Sequence, residues 1–345
     1  MPPAPLRRPV SITIWLVVSV LALAASPVLL AVAELVARIT GDRRLALMTR
    51  IFLAYFAREL TTLVACGAAW LVAGAGALMR SGPIQALHWS LLRWFVGGIA
   101  NGVIETLDIR VVQETGSEAA AAALQGSSPL IVLSRHAGPG DTILLIDRLL
   151  SHFCRRPSVV FKDALVLDPS IDLLAHRLPH AVLDVDDPQQ CQAIIARTAA
   201  RLGPRGLLLL FPEGGNFTPE RRRKALRSLR RRGERSAAKA GERMQHVLPP
   251  RPTGTVAALQ ANPAADVVFA AHTGLGLAAY PRAIWRDLPV GGTLRTRLWL
   301  VARSEVPTDE HDIAAWLNDW WLRVDGWVDA HGESDELDSG TSEAI

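Results

Sequence analysis

The sequence predicts an α/β fold in which a mostly parallel sheet is flanked by helices and preceded by an N-terminal transmembrane helical hairpin. Beyond residue 105, short β-branched runs alternate with helical stretches, a pattern typical of parallel strands joined by crossover helices. Before residue 105 lie two apolar runs long enough to cross a bilayer core. We therefore divide the chain into membrane-anchoring helices over 1–105, an α/β domain over 106–330 and a disordered acidic tail over 331–345.

The composition fits this division. Half of the 345 residues are hydrophobic, and most of the excess precedes residue 105. The three cysteines lie far apart without Cys-x-x-Cys spacing, which argues against a disulfide framework and against a zinc site. The net charge is +4 and the arginines are clustered, so we expect contact with an anionic partner.

The two apolar runs cover residues 12–36 and 60–78, and Glu34 is the single charged residue of the first. About 20 apolar residues suffice to span a bilayer core, so we interpret the runs as a hairpin that is kinked at Pro27 and joined by an arginine-rich link. Arginines flank the helices on both sides, which leaves the orientation open. The stretch 85–105 mixes tryptophans with polar residues and fits either an interfacial helix or an amphipathic helix docked on the domain.

Three predicted strands of the α/β domain end in polar residues. Their last residues and the turns that follow read Ser-Arg-His at 134–136, Phe-Lys-Asp at 161–163 and Phe-Pro-Glu-Gly at 211–214. Ligands of open α/β sheets bind at the carboxyl ends of the strands. We therefore expect these three segments to meet at one site.

The first segment continues as "SRHAGPGDT", which places His136 five residues before Asp141 in a strand-to-helix turn. A carboxylate bonded to one imidazole nitrogen fixes the tautomer and leaves the other nitrogen as a base. The turn shows no nucleophile-elbow pattern, so the pair suits activation of a substrate hydroxyl. Alternatively, His136 caps the following helix and Asp141 offsets its dipole.

The third segment, "LLLLFPEGGNFTPERRRK", follows a strand with two glycines. Gly214 and Gly215 allow backbone N–H groups to approach a ligand, and Asn216 or Thr218 can cap the next helix. Alternatively, the segment is an ordinary strand-to-helix turn in which Glu213 is a capping carboxylate.

Four blocks, in this order over residues 125–275, resemble those of the glycerolipid acyltransferase family, the plsC-type lysophosphatidate acyltransferases. The blocks are "RHAGPGD", "VVFKDALVLDPSIDLL", "LLLFPEGGNFT" and "HVLPPRPTGTVAAL". The resemblance implies a membrane enzyme that moves a fatty acyl group from acyl-CoA, or from an acyl-carrier protein, to the free hydroxyl of 1-acylglycerol-3-phosphate. It implies that His136 is the catalytic base and that Asp141 orients it. Because a thioester is already activated, no cofactor or metal is expected.

Two alternatives remain for the activity. The acceptor could be another lysophospholipid or a glycolipid, and the chain could be a non-catalytic lipid-binding protein of the membrane. We expect the partners to be membrane lipids, acyl-CoA and the lysophospholipid acceptor, with no nucleic acid. We place the enzyme in the inner (cytoplasmic) membrane with its domain on the cytoplasmic side, although the sequence alone does not fix the side.

The chain departs from the family pattern at the third block, where Gly215 and Asn216 stand in place of Thr-Arg. The family's arginine is thought to hold the acceptor phosphate, so another cation is needed here. Arg251, in the fourth block, is our first choice, and Arg222, the middle of three successive arginines, is the second. The substrate-binding set predicted from the resemblance, with Glu213 assigned to acceptor binding and site organisation, comprises Lys162, Glu213, Gly214, Gly215, Arg222 and Arg251.

Residues 219–243 carry eleven Lys and Arg against three Glu. A solvated helix is the simplest interpretation, with anionic lipid or the phosphates of coenzyme A as candidate ligands. Outside these segments, we expect His272 to be a core histidine, we see no partner for His176 or His180, and we expect Trp316 and Trp320 to pack on the domain or the membrane interface.

Overall fold

The computed structural model describes residues 3–183, 187–275, 285–286 and 288–332, except for the side chains of Pro139 and Asp141. Nearly all of the predicted acidic tail, 331–345, therefore lies outside the described residues. The α/β prediction is confirmed, because a seven-stranded sheet has the order β1-β7-β6-β2-β5-β3-β4 and only the β6–β7 pair is antiparallel. The strands are β1 Arg110–Gln113, β2 Leu130–Ser134, β3 Arg156–Lys162, β4 Ala181–Leu183, β5 Gly206–Leu210, β6 Asp266–Thr273 and β7 Thr293–Val301.

Helices cover both faces of this sheet and form the whole N-terminal part. The α-helices are α1 Ala4–Ala24, α2 Ser26–Thr40, α3 Arg44–Val72, α4 Gly82–Leu107, α5 Glu118–Gln125, α6 Pro139–Asp147, α7 Pro169–Arg177, α8 Pro188–Ala200, α9 Pro219–Arg231, α10 Arg235–Arg243, α11 Pro252–Ala261 and α12 Glu310–His331. A π-helical turn, Arg148–His152, extends α6, and a 3₁₀ turn, Asp163–Leu167, follows β3.

The larger core of the α/β body lies between the sheet and helices α8, α11 and α12. Phe269 on β6 is fully buried, and the ring of Trp320 on α12 stacks on it with centroids 4.4 Å apart. Trp316 meets the same ring edge-on at 5.3 Å. The tryptophans of the last helix therefore pack on the domain, one of the two locations that the sequence predicts for them.

Helices α1–α4, which we call the N-terminal layer, differ from the predicted hairpin in their boundaries. Pro27 lies in the first turn of α2, next to the break at Ala25 between α1 and α2. α2 ends at Gly41, which adopts a left-handed φ of 74°. The predicted arginine-rich link is mostly helical, because α3 begins at Arg44, and arginine is a good helix former. Helices α1 and α3 are long and apolar enough to cross a membrane, by length and composition.

The N-terminal layer is attached to the α/β body through α7, by polar contacts that we call the α7 seam. Asp172 is buried and accepts hydrogen bonds from Arg7 and Arg8, each at 2.8 Å. On α3, Tyr55 donates a hydrogen bond to Asp168, and Glu59 accepts one from the Ser170 N–H at 3.2 Å. The apolar face of α4, with Leu92, Phe95 and Val96, packs into a core shared with α3 and α7. This arrangement fits the docked alternative for 85–105.

Candidate active site

The sheet topology brings the predicted site residues to one edge. Strands β6, β2, β5 and β3 are neighbours and run parallel, so their carboxyl ends lie side by side. Lys162 ends β3, while His136 and Glu213 follow β2 and β5 by two and three residues. The geometry therefore places together the polar ends of the three predicted strands.

His136 is held by its backbone as well as by its ring. Its N–H donates to Glu213 Oε1 at 2.9 Å, and its carbonyl accepts from the Phe217 N–H at 3.0 Å. The imidazole lies against the ring of Phe211, with centroids 4.7 Å apart, and its Nδ1 is 3.4 Å from Thr142 Oγ1. The turns after β2 and β5 thus fix the histidine from both sides.

Asp141 lies in the first turn of α6, the helix that begins three residues after His136. Its side chain lies outside the described part of the structure. The bond between His136 and Asp141 therefore stays a prediction of the sequence, as does the orienting role of the carboxylate.

Glu213 is 2% exposed, and both of its oxygens accept backbone hydrogen bonds. Oε1 binds the His136 N–H, and Oε2 binds the Leu248 N–H at 2.8 Å. Burial raises the pKa of Glu213 to about 7, against the opposing hydrogen bonds and the charge of Arg135. These contacts support the organising part of its predicted role. Burial of the carboxylate leaves no support for direct binding of an acceptor hydroxyl.

Three cations surround the glycine turn after Glu213, and we call Lys162, Arg221 and Arg251 the cation cluster. Gly214 has a φ of +67°, and a Cβ built there would lie 3.1 Å from Arg251 Cζ, so the glycine makes room for this side chain. A Cβ on Gly215 would lie 3.7 Å from Arg221 Nη1. Burial, followed by the charges of Arg251 and Arg221, lowers the pKa of Lys162. The turn is therefore a strongly positive environment for an anionic ligand.

A family model described as Acyltransferase matches residues 110–250. The matched segment is similar to acyltransferase-family domains. The match supports an enzyme that transfers acyl groups, and it includes His136, Lys162, Glu213 and Arg221. No curated protein and no solved structure matches the chain significantly.

Arg222 points away from the glycine turn. Its guanidinium donates to the carbonyls of Met244 and Glu242, the latter at 2.8 Å, beyond and within the last turn of α10. Its placement does not support the predicted role in substrate binding. Arg221, one residue earlier, lies at the turn instead and donates to the Asn216 carbonyl at 3.1 Å. The N-cap Thr218, whose Oγ1 accepts from the Arg221 N–H at 3.1 Å, sets this phase of α9.

Two histidines of the domain have partners that the sequence did not reveal. His176 Nδ1 lies 2.9 Å from Asp172 in the α7 seam, and His180 Nδ1 accepts from the Val159 N–H at 3.1 Å. Our expectation that they lack partners was wrong, because Asp172 lies one helical turn before His176 within α7, and the fold brings His180 to β3. His272 is buried, with Nε2 3.1 Å from the Arg135 carbonyl, which agrees with a core histidine.

An apolar cavity of about 250 Å³ lies between the sheet and helices α4 and α6. Its walls include Leu144, Val268, Leu294 and Leu298, and His272 also contributes to the lining. Within the described residues, no group of three or more His, Cys, Asp or Glu side chains could hold a metal ion. The described site therefore offers a base and a cationic turn, and the cavity is a separate apolar space whose lining includes none of the predicted site residues.

Proposed function

We propose that the protein is a membrane-bound acyltransferase that moves a fatty acyl group from acyl-CoA to the free hydroxyl of 1-acylglycerol-3-phosphate. One observation carries the proposal: the cation cluster surrounds the same glycine turn whose glutamate holds His136, and all of these residues except Arg251 lie in the segment that matches the acyltransferase family. A base for a hydroxyl and a binding site for a phosphate are the two elements that this acceptor requires.

In the proposed reaction, His136 accepts the proton of the acceptor hydroxyl while the hydroxyl oxygen attacks the thioester carbonyl carbon. The tetrahedral intermediate then breaks its carbon–sulfur bond, and His136 returns the proton to the departing thiolate of coenzyme A. General-base catalysis of this kind contributes about 10²–10⁴-fold to the rate. Backbone N–H groups of the glycine turn are the candidate donors to the oxyanion.

The cation cluster supports an acceptor with a phosphate. Arginine guanidinium groups bind phosphate oxygens through two parallel hydrogen bonds, and a lysine adds a point charge. Arg221 takes the place that the family pattern gives to the arginine missing at Asn216. A charge-assisted hydrogen bond of this kind contributes about 1.5–3 kcal/mol.

The protein has separate apolar surfaces for the acyl chain of the donor and for the membrane. The cavity beside β6 suits an acyl chain, at about 0.8 kcal/mol for each buried methylene. Exposed apolar side chains form stripes along α1 and α2, and we infer that these stripes face lipid on the cytoplasmic side of the membrane. The residues of the stripes are Leu6, Val10, Ile14, Val17, Leu21, Val28, Val32, Leu35 and Ile39.

The donor also carries phosphates, which the start of α9 matches. Arg223, Lys224 and Arg227 are exposed beside Arg221 and line one groove. They are candidates for the phosphates of coenzyme A, and an acidic acyl-carrier protein is the alternative donor. A second acceptor class, uncharged glycolipids, is motivated by Asn216, since the family's phosphate-binding arginine is absent there.

The experiment compares Arg221→Ala and Arg251→Ala in the full-length protein in detergent micelles. Labelled acyl-CoA is supplied with lysophosphatidate or with uncharged monoacylglycerol, and the products are identified by mass. The proposal expects both variants to raise KM for lysophosphatidate by roughly ten- to a hundredfold and to leave KM for monoacylglycerol unchanged.

Arg231→Ala is the matched control, since Arg231 is exposed at the far end of the same helix, and it should behave as the wild type. A wild-type preference for the uncharged acceptor would favour the second acceptor class. Absence of transfer to every acceptor would instead favour a lipid-binding protein.

A further inference from the structure

A buried carboxylate on the last helix lies outside the segment matched by the family model. Asp325 on α12 is 6% exposed. Its Oδ1 accepts hydrogen bonds from three successive backbone N–H groups, those of Gln245 at 2.9 Å, His246 at 2.6 Å and Val247 at 3.1 Å. Successive N–H groups that converge in this way form a concave site for a negative charge. Asp325 thereby fixes the start of the loop between α10 and α11, residues 245–251.

The same loop is linked to the backbone N–H of the proposed base and to the side chain of the residue before it. The Leu248 N–H donates to Glu213 Oε2, and Glu213 Oε1 accepts from the His136 N–H. The His246 carbonyl accepts from the buried guanidinium of Arg135 at 3.1 Å. Two separate routes therefore run from the loop to Arg135 and His136 at the end of β2.

The other end of the loop presents a member of the cation cluster. The Arg251 N–H donates to the Pro212 carbonyl at 2.8 Å, which seats the loop against the turn after β5. The side chain of Arg251 then lies over Gly214. A displaced loop would move the base and this cation together.

We propose that Asp325 is a positioning residue that acts through the 245–251 loop on both His136 and Arg251. This proposal rests on the proposed function, because it gives a role to a residue that touches neither substrate. Displacement of a catalytic group by about 1 Å costs on the order of a hundredfold in rate. Asp325 should therefore affect turnover and acceptor binding at once, which a residue that only stabilises the fold would not do.

Asp329 provides a matched control on the same helix. It lies one turn further along α12, and its exposed carboxylate bonds the ring of His246 at 2.9 Å. It thus contacts the same loop through a surface side chain and leaves the loop backbone alone. Asp329→Ala should leave kcat and both KM values within about twofold of the wild type.

The test measures kcat, KM for lysophosphatidate and KM for acyl-CoA in the full-length variants, below the unfolding temperature of each. Asp325→Ala should lower kcat by about a hundredfold and raise the lysophosphatidate KM by about tenfold, with the acyl-CoA KM unchanged. Asp325→Asn should lower kcat by roughly tenfold, since its amide NH₂ would oppose the Gln245 N–H that now meets Oδ2 at 3.0 Å.

Folded Asp325→Ala and Asp325→Asn variants with wild-type kcat and KM would overturn the positioning role. If Asp325→Ala does not fold, Asp325→Asn decides alone, because it keeps the size of the side chain. Equal changes in both KM values with kcat unchanged would also overturn it. A wild type that transfers no acyl group would refute the proposed function itself, whereas an active wild type with normal variants refutes only this inference.

Discussion

The N-terminal layer and the α/β body differ in which side chains they expose and which they bury. The layer exposes large apolar side chains, such as Leu6 at 68% and Ile39 at 75%, and buries Glu59 completely. The body buries its apolar side chains around Phe269, and most arginines of α9 and α10 are exposed. Since apolar surface avoids water, the contrast supports a membrane association of the layer, whereas the surface of the body suits water.

The two regions meet at the α7 seam, where polar contacts lie beside the apolar core that α4 shares with α3 and α7. Arg7, Arg8 and Tyr55 of the layer bind carboxylates of the body, namely Asp168 and Asp172. A seam of this kind specifies one orientation of the layer, because each charged group must find its own partner. Changes in the N-terminal layer should therefore alter membrane binding, and changes in the α/β body should alter catalysis. Changes in the α7 seam should alter the attachment of the layer to the body.

The largest effect on membrane binding should come from removal of residues 1–43, which contain α1 and α2. Their exposed stripes would no longer be available to lipid, so partition into phospholipid vesicles should fall at least tenfold. Flotation of the full-length and shortened proteins with vesicles measures this change. An unchanged partition coefficient would show that the stripes do not face lipid.

His136→Ala tests the other side of the comparison. Loss of the base should reduce kcat by about 10²–10⁴-fold, equivalent to about 3–5 kcal/mol in the barrier. Vesicle flotation should give the wild-type result, because the described contacts of His136 are with residues of the body. Near-normal turnover would rule out the proposed base.

Asp172→Ala tests the seam. It leaves two guanidinium groups without their buried carboxylate, which costs about 3–5 kcal/mol in the free energy of unfolding. Urea unfolding in detergent measures the loss, and limited proteolysis should cut the layer from the body faster. Burial raises the pKa of Asp172, but hydrogen bonds from His176, Arg8 and Arg7 outweigh burial and hold this pKa below its usual range. The carboxylate therefore stays charged, and the seam should persist, down to mildly acidic pH.

Asp172→Asn is the control that separates charge from shape. It keeps the hydrogen-bond acceptor and should lose less stability than Asp172→Ala. Equal stability of the wild type and Asp172→Ala would mean that apolar contacts alone attach the layer.

Glu213→Gln should change how the stability of the body depends on pH. Because burial raises the pKa of Glu213 from 4.5 to about 7, the folded protein binds the proton more tightly than the unfolded chain does. The wild type should therefore lose about 3 kcal/mol of stability relative to the variant as the pH rises from about 4.5 to 7. Urea midpoints across this range measure the difference, and parallel curves for the two proteins would contradict the burial of a charge at this position.

The smallest effect on stability should come from a change to an ion pair on the surface of the α/β body. Arg230 on α9 and Glu242 on α10 form an ion pair at 2.8 Å, with both side chains about half exposed. Arg230→Ala should change stability by less than about 1 kcal/mol, and high salt should remove even that difference. A larger loss would mean that the basic helices carry part of the fold.

The sequence predicts the sheet and the convergence of His136, Lys162 and Glu213, because parallel neighbours place their carboxyl ends at one edge. It cannot separate Arg221 from Arg222, since adjacent residues of a helix point about 100° apart and the N-cap Thr218 sets the phase. The role of Asp325 is also hidden, because its partners are about eighty residues earlier in the chain. Local patterns therefore locate the strand ends, and long-range packing decides which charged side chains serve the site.

The pairing of β1 has a consequence for how this chain is made. β1, the first strand to leave the ribosome, lies at the edge of the sheet and bonds only to β7, the last strand, within the described sheet. Translation at about 5–20 residues per second separates the two strands by on the order of 10–40 s. The N-terminal layer is complete before this interval, so it can settle in lipid while the body is still being synthesised. Newly made protein should therefore reach the membrane before it becomes active.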